Sequence, residues 1–496
     1  RTRVIVNIEP GPVYKIGTYI LHLYSGDVAN RISCAEITLA NIGIHLNKPA
    51  IAFDIVQSEL KLLQILSECG YPLAEIARRE IIADGLTKTL TIELEVQAGS
   101  LAFFGKTTVD GLSFVKERLI EQKTAWKEGD LYNSSLVETT QKALLDTGLF
   151  SSVLINHDTT LSQDSFLDMN IAVAETKHRS VNIGVSYQTY YGPGITFGWE
   201  NRNIDGMGRS LSLQGEATKR SQDGIARYFI SDFYKLGQDY LWQAQVMHED
   251  IKAYSERSYN LTNRIERKFG KKFRMSLSAE LEKLYVTSSV DNGIFLLFEL
   301  PLYLRFSTAN SLLNPTEGMT VEYSMKPSVN LEKWTRNYLM QKFSYSYYLP
   351  IAKDHSVVLA QKATLGLITS GPLDVVPIPK RFLGGSAEDL RGYLYKTVSP
   401  LSSNEKPIGG RSAIFYSLEL RFRVTKTFGF VPFFDLGTVW LEQLPQTTGK
   451  WFKSAGLGFR YFSFMGPFRF DLAFPLNRRK DLDPTYQIFV SIGQMF

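Results

Sequence analysis

The sequence predicts small α/β repeats followed by a large antiparallel β-barrel of about sixteen strands that crosses a membrane. Three observations predict it. Helix-period patterns occur only before residue 178, and beyond it every run of structure alternates apolar and polar residues with period two. Many of these runs carry charges on their polar face, which suits a watered lumen better than the core of a sandwich. Aromatic residues make up 12% of the chain, with 25 Tyr and 31 Phe, as girdles at two membrane interfaces require.

The bulk numbers bound the reading further. A chain of 496 residues has room for several domains, and a hydrophobic content of 44% excludes a disordered one. No window reaches about 18 uninterrupted apolar residues, so no transmembrane helix is expected. The net charge of +5, from 55 basic and 50 acidic residues mixed along the chain, gives no footprint for nucleic acid. The chain starts in a strand-like run, RTRVIVNIEPG, without Met, and is read as processed or truncated. Cys34 and Cys69 fall on predicted helices of one small domain. A disulfide is possible in an oxidising compartment, and two buried thiols are the expectation.

The first part repeats itself. QSELKLLQILSECGY (57–71) is an apolar-striped helix closed by Gly70 with Tyr71 behind it. LVETTQKALLDTGLF (136–150) closes in the same way at Gly148, with Phe150 behind. Glycine at a helix end supplies the left-handed cap. Each helix leads into a strand pair, EIARREII with LTIELEV and SSVLINHD with FLDMNIAVAE. Each is preceded by a strand and a first helix, which in the first copy is placed on AEITLANIGIHL. Two copies of strand–helix–helix–strand–strand fit residues 10–98 and 99–177. Residues 1–9 read as the last strand of a preceding copy. LTIELEV and NIAVAE are expected at sheet edges.

Residues 178–496 read as strands and turns. In AIFYSLELRFRV, Ile414, Tyr416, Leu418, Leu420, Phe422 and Val424 share one face, and Ser417, Glu419, Arg421 and Arg423 share the other. YQIFVSIGQMF alternates likewise, with Tyr486, Ile488, Val490, Ile492 and Phe496 grouped. Short connections (NIDGMG, YKLGQD, RKFGKK, TKTFG, SFMGP) alternate with longer ones (ATKRSQDG, 371–411, LEQLPQTTGK, PLNRRKDLDPT), as inner turns and outer loops of a barrel do. The longest, 371–411, joins strands eleven and twelve and holds KRFLGGSAEDLRGYLYKT.

These residues carry a resemblance. LGG…RGY (383–385 and 391–393), GG (409–410), ELR (419–421), FFDLG (433–437), GPFRFDLAFPL (466–476) and SIGQMF stand in the order of the BamA/TamA superfamily of outer-membrane insertases and transporters. The two repeats resemble that family's periplasmic POTRA domains, and within the family the chain looks TamA-like. The resemblance implies a loop folded back into the lumen, carrying Gly384, Gly385, Arg391, Gly392 and Tyr393. Arg391 is then expected to meet Asp435 near Glu419, with Gly437 leaving room. The barrel is expected to close by pairing VNIGVSYQTY, with Gly184, to the last strand, with Gly493 and Phe496. The terminal IGQMF resembles the signal by which assembly machinery recognises barrel substrates. The implied partners are unfolded outer-membrane protein clients, autotransporters among them, a TamB-like inner-membrane protein, and outer-membrane lipids.

Other candidates are weak. FFGKTT (103–108) lacks the glycine spacing of a phosphate loop and continues as a strand. The six His are scattered without metal-ligand spacing. Neither an enzyme, a cofactor nor a metal is expected. A general insertase, a two-partner-secretion exporter and a passive porin or adhesin are the alternatives.

Overall fold

The computed structural model describes residues 11–25, 32, 34–158, 160–162, 165–290 and 292–496. The expected strand over residues 1–9 lies outside the described residues. By internal contacts the chain forms two units, residues 1–177 with 205–208, and residues 178–204 with 209–496.

The first unit holds two three-stranded sheets. In one, β1 (Lys15–Ser25) runs parallel to β3 (Thr89–Gly99), and β2 (Glu75–Asp84) runs antiparallel to it, in the order β1-β3-β2. Helix α1 (Ala52–Glu68) is rich in good helix formers and turns Ile55, Leu62 and Leu66 onto Ile92, Leu94 and Val96 of β3. Gly70 follows its end at φ +97°, as expected. The helix expected on AEITLANIGIHL is absent, and residues 35–43 form turns instead. Thr, Asn and a β-branched pair are poor helix formers, and Gly43 stands at φ +83°. The expectation of free thiols is also overturned. Cys34 lies in an irregular segment rather than a helix and forms a disulfide with Cys69, with Cα atoms 5.8 Å apart.

The second sheet comprises β4 (Phe103–Asp110), β5 (Phe150–His157) and β6 (Phe166–Glu175), in the order β4-β6-β5. Helices α2 (Glu117–Lys123) and α3 (Ser134–Leu145) precede β5. The Asn133 side chain caps α3 by accepting from the Ser135 amide, and Leu144, Phe104, Leu167 and Ile171 meet in the core. In both sheets the last strand is central. LTIELEV and NIAVAE therefore lie inside their sheets, contrary to expectation, and the edges are β1, β2, β4 and β5. Alternation alone could not separate these cases, because each sheet buries only one face.

The second unit is a closed antiparallel barrel. Its wall starts with β7 (Arg179–Gln188), β8 (Gly192–Asn201), β9 (Ser210–Thr218), β10 (Ser221–Ile230), β11 (Gln238–Asp250) and β12 (Tyr254–Phe269). It continues through β13 (Phe273–Ser288), β14 (Asn292–Glu299), β15 (Leu302–Ser307), β16 (Gly318–Asn330), β17 (Asn337–Pro350) and β18 (Val357–Ser370). It ends with β19 (Ser412–Arg423), β20 (Phe428–Trp440), β21 (Phe452–Ser463), β22 (Gly466–Pro475) and β23 (Gln487–Ile492), which neighbours β7. These are seventeen segments, but β14 and β15 both pair with β13 and β16. They are two halves of one strand, broken where Pro301 cannot donate to the ladder. The wall thus has the sixteen positions the alternation predicts, and 371–411 joins the eleventh to the twelfth. The length expectation fails among the first strands: only Lys219 and Arg220 separate β9 from β10, whereas the connections expected to be short at NIDGMG and YKLGQD span residues 202–209 and 231–237.

The alternation has the expected sense. Ser417, Glu419 and Arg421 are buried inside, whereas Ile488, Val490 and Ile492 are exposed on the outer wall. Among the described residues no helix is long and apolar enough to cross a membrane.

Candidate functional site

The loop 371–411 folds into the lumen and is fixed to the wall by cations. Its centre is Arg391, with no solvent exposure. The Arg391 Nε and Nη2 donate to the two oxygens of Asp435, each at 2.8 Å, and its backbone amide donates to the same carboxylate at 3.2 Å. The remaining terminal nitrogen, Nη1, donates to Glu419 at 2.8 Å and to Asp471 at 2.9 Å. The guanidinium also lies over the Phe433 ring, 3.5 Å from its centroid. This is the fork geometry that lysine cannot reproduce. Burial alone would lower the Arg391 pKa, but the charge and hydrogen bonds of Asp435, with Glu419 and Asp471 behind, raise it overall. The group is a cation throughout the physiological range.

The site is legible strand by strand. Alternation sends Glu419 of β19, Asp435 of β20 and Asp471 of β22 to the same inner face, and register brings them together. Ser417 stands opposite Asp435, and Asp471 opposite Gly458. Two glycines admit the bulk this requires. A Cβ on Gly456 would lie 2.3 Å from the Phe433 ring, and one on Gly458 would lie 2.4 Å from both Arg460 and Asp471.

The structure brings most of the expected loop residues to one place. Gly392, at φ +91°, lets the chain run against the backbone of Phe474 and Pro475. Tyr393 is buried and donates to the Lys453 carbonyl at 2.8 Å. Gly385 takes φ +98° in a turn held by Asp389, and Gly384 packs beside Phe415. Gly437 plays a different part from the one expected. The space above it is taken by the Phe415 ring, 2.4 Å from where a Cβ would stand.

Sequence reasoning missed several members. Asp471 sits within a quoted motif, and its inward position follows from alternation, but its partner depends on register. Arg421, Arg460 and Arg469 complete the cluster, giving four guanidiniums around three carboxylates. Two further loop cations were also missed. Lys380 meets Glu282 of β13 at 2.5 Å. Lys396 meets Glu249 of β11 at 3.0 Å and donates to the Tyr254 hydroxyl of β12 at 2.6 Å. The loop is therefore tied to two stretches of wall, β11 to β13 and β19 to β22.

The seam between β23 and β7 is the other feature. Gly184 lies on β7 opposite Thr196 of β8. The Thr189 hydroxyl donates to the Ile488 carbonyl at 2.7 Å across the closure. The last strand is shorter than expected. It has six residues, against ten in β22 and ten in β7, because Gly493 takes φ +91°. Phe496 does not join the outer apolar row; it turns inward and packs beside Tyr348.

Comparison with known proteins gives the following likenesses. The Omp85 superfamily domain model matches residues 203–496, and a POTRA model described as surface antigen variable number repeat matches residues 102–182. The outer membrane protein assembly factor BamA of Nitratidesulfovibrio vulgaris is 23% identical over 99% of this chain and 63% of its own length. The protein of the same name from Neisseria meningitidis serogroup B is 20% identical over 87% of this chain and 61% of its own. The chain thus spans less than two thirds of these relatives. In fold, a crystal structure of BamA from Haemophilus ducreyi lacking POTRA domains 1–3 aligns with a TM-score of 0.80 at 20% identity, covering 96% of this chain and 99% of the other. CdiB from Acinetobacter baumannii aligns at 0.51 and 12% identity, covering 98% and 90%.

Proposed function

Because the chain belongs to the Omp85 superfamily, we propose that it assembles other β-barrel proteins into the membrane in which it sits. It is an outer-membrane protein with POTRA structure on the periplasmic side. We propose residues 10–98 and 99–177 as two POTRA domains and residues 178–496 as the barrel. The observation that carries the mechanism is the seam: the wall closes through a six-residue strand that ends at a glycine. A strand with few ladder bonds opens at low cost and exposes an edge, and an unfolded client adds to an edge by backbone hydrogen bonds with little sequence demand. The sheet edges β1, β2, β4 and β5 offer the same pairing to clients before they reach the wall. Arg391 acts as a strut that keeps the loop inside the barrel while the seam moves.

The names of the curated relatives favour the general assembly factor over the TamA-like reading. A TamA-like role, with autotransporters as clients and a TamB-like inner-membrane partner, is the second reading. In-cell crosslinking from the first repeat, followed by mass spectrometry, separates them. Outer-membrane lipoproteins are expected for the general factor. A large β-rich inner-membrane protein would move the chain to the TamA-like role, and a single secreted partner would make it an exporter.

A further inference from the structure

Beyond Ile492 the chain leaves the wall and enters the lumen. The Gly493 amide donates to the Pro467 carbonyl at 2.7 Å, and the Gln494 amide donates to the Leu313 carbonyl at 2.9 Å. Two arginines hold this tail from within. Arg460 Nε donates to the Gln494 side-chain oxygen at 2.7 Å, and Arg421 Nη2 donates to the Phe496 carbonyl at 2.9 Å. Arg421 also lies over the Phe496 ring, 5.2 Å from its centroid, and donates to the Pro315 carbonyl at 3.1 Å. Met495 is buried between these contacts, 7% exposed.

The same two arginines complete the carboxylates that receive Arg391. Glu419 gives Oε1 to Arg391 and Oε2 to Arg421, at 2.8 and 2.9 Å. Asp471 gives Oδ2 to Arg391 and Oδ1 to Arg460, at 2.9 and 2.5 Å. Each carboxylate is therefore divided, with one oxygen for the loop and one for the cation that grips the tail. We infer that Arg421 and Arg460 are positioning residues that couple the lumenal loop to the end of the closing strand. When Arg391 withdraws, Asp471 Oδ2 keeps only Arg469 Nε at 3.2 Å among the described residues, Glu419 Oε1 has Arg460 Nη2 at 3.9 Å, and Arg421 and Arg460 are drawn to rotate toward the oxygens it leaves. That rotation takes the donor from Gln494 or from the Phe496 carbonyl, and the tail is released beside the seam. Coupling of this kind is reciprocal, so freeing the tail must also loosen the loop.

The coupling is independent of which clients the barrel takes, and its test reads thiol labelling rather than assembly. Among the described residues the native cysteines are paired, so Met495→Cys places a reporter thiol in the tail. Labelling of the folded barrel, identified by its heat-modifiable gel migration, is expected to be slow. Arg421→Gln and Arg460→Gln should each raise the rate. Arg391→Lys, which touches neither tail nor reporter, should raise it by about 5- to 150-fold, the usual span of coupling between sites. Lys380→Gln removes a different anchor of the same loop and should leave the rate within about twofold of the unaltered barrel. In the reverse direction, Gln494→Ala should speed amide exchange over residues 383–397, and this variant leaves every charge in place. The inference is overturned if Arg391→Lys leaves labelling unchanged, if Lys380→Gln raises it equally, or if Gln494→Ala leaves the loop amides protected.

Discussion

Replacing Arg391 by alanine is expected to free the loop from the wall, and the structure indicates by how much. Removing one partner of a buried ion pair costs about 3–5 kcal/mol, because the other charge is left without compensation. Here the loss is uneven. Glu419 keeps Arg421 at 2.8 Å, and Asp471 keeps Arg460 and Arg469. Among the described residues Asp435 keeps only neutral donors, the Ser454 hydroxyl at 3.5 Å and the backbone amide of residue 391 at 3.2 Å. The cluster also goes from four cations against three anions to three against three, so net charge does not worsen. The cost therefore concentrates on one carboxylate and falls near the lower limit, about 3 kcal/mol, or on the order of 10²-fold in the closed-to-open ratio of the loop. Hydrogen exchange of amides 383–397 in the purified barrel reads this ratio. Asp435→Asn removes the stranded charge, so the double variant should lose less than the sum of the singles, with an interaction energy of about 2 kcal/mol. Arg391→Lys should fall between, since an ammonium cannot bind Asp435 through two nitrogens and still reach Glu419 and Asp471. Exchange within about threefold of the unaltered protein, or additive double-variant losses, would refute the strut.

Other expectations follow from particular contacts. Gly392→Ala adds a Cβ at φ +91°, 3.1 Å from the Pro475 nitrogen, and should cost about 1–3 kcal/mol. Its signature is faster exchange at Tyr393 and Leu394 with the barrel still folded. Replacing Cys34 and Cys69 together by serine opens a link across 35 residues of chain and should destabilise the first repeat by about 3–4 kcal/mol. Limited proteolysis of the full chain should then cut within residues 10–98, while 99–177 stays intact.

Much of the barrel was legible because lipid and lumen impose opposite demands on alternate residues. Leu418 and Leu420 cannot exchange places with Glu419 and Arg421 without burying charge in lipid. That constraint fixes facing and approximate strand number, and the resemblance supplied the Arg391–Asp435 pair. Register is a pairwise property, so the sequence of β22 alone could not say that Asp471 would lie within reach of Arg391. Nor could that of β19 assign Arg421 to the tail. The tail itself was misread because Gly493 interrupts an otherwise regular alternation, and an alternating pattern does not report φ. In the first repeat, Ile42 and Ile44 are both buried, two residues apart as no single helix face would allow, and they lie in turns and irregular chain that follow Cys34. Sheet order failed for a related reason, since β3 and β6 bury one face whether central or at an edge.

The central claim is that the wall opens between β23 and β7 to receive clients. The most direct test joins these strands by an engineered disulfide beside the Thr189–Ile488 contact and measures folding of an unfolded outer-membrane barrel protein added to vesicles that contain the chain. Client folding is expected to stop when the link is oxidised and to return when it is reduced. Equal client folding in the two states would contradict the account.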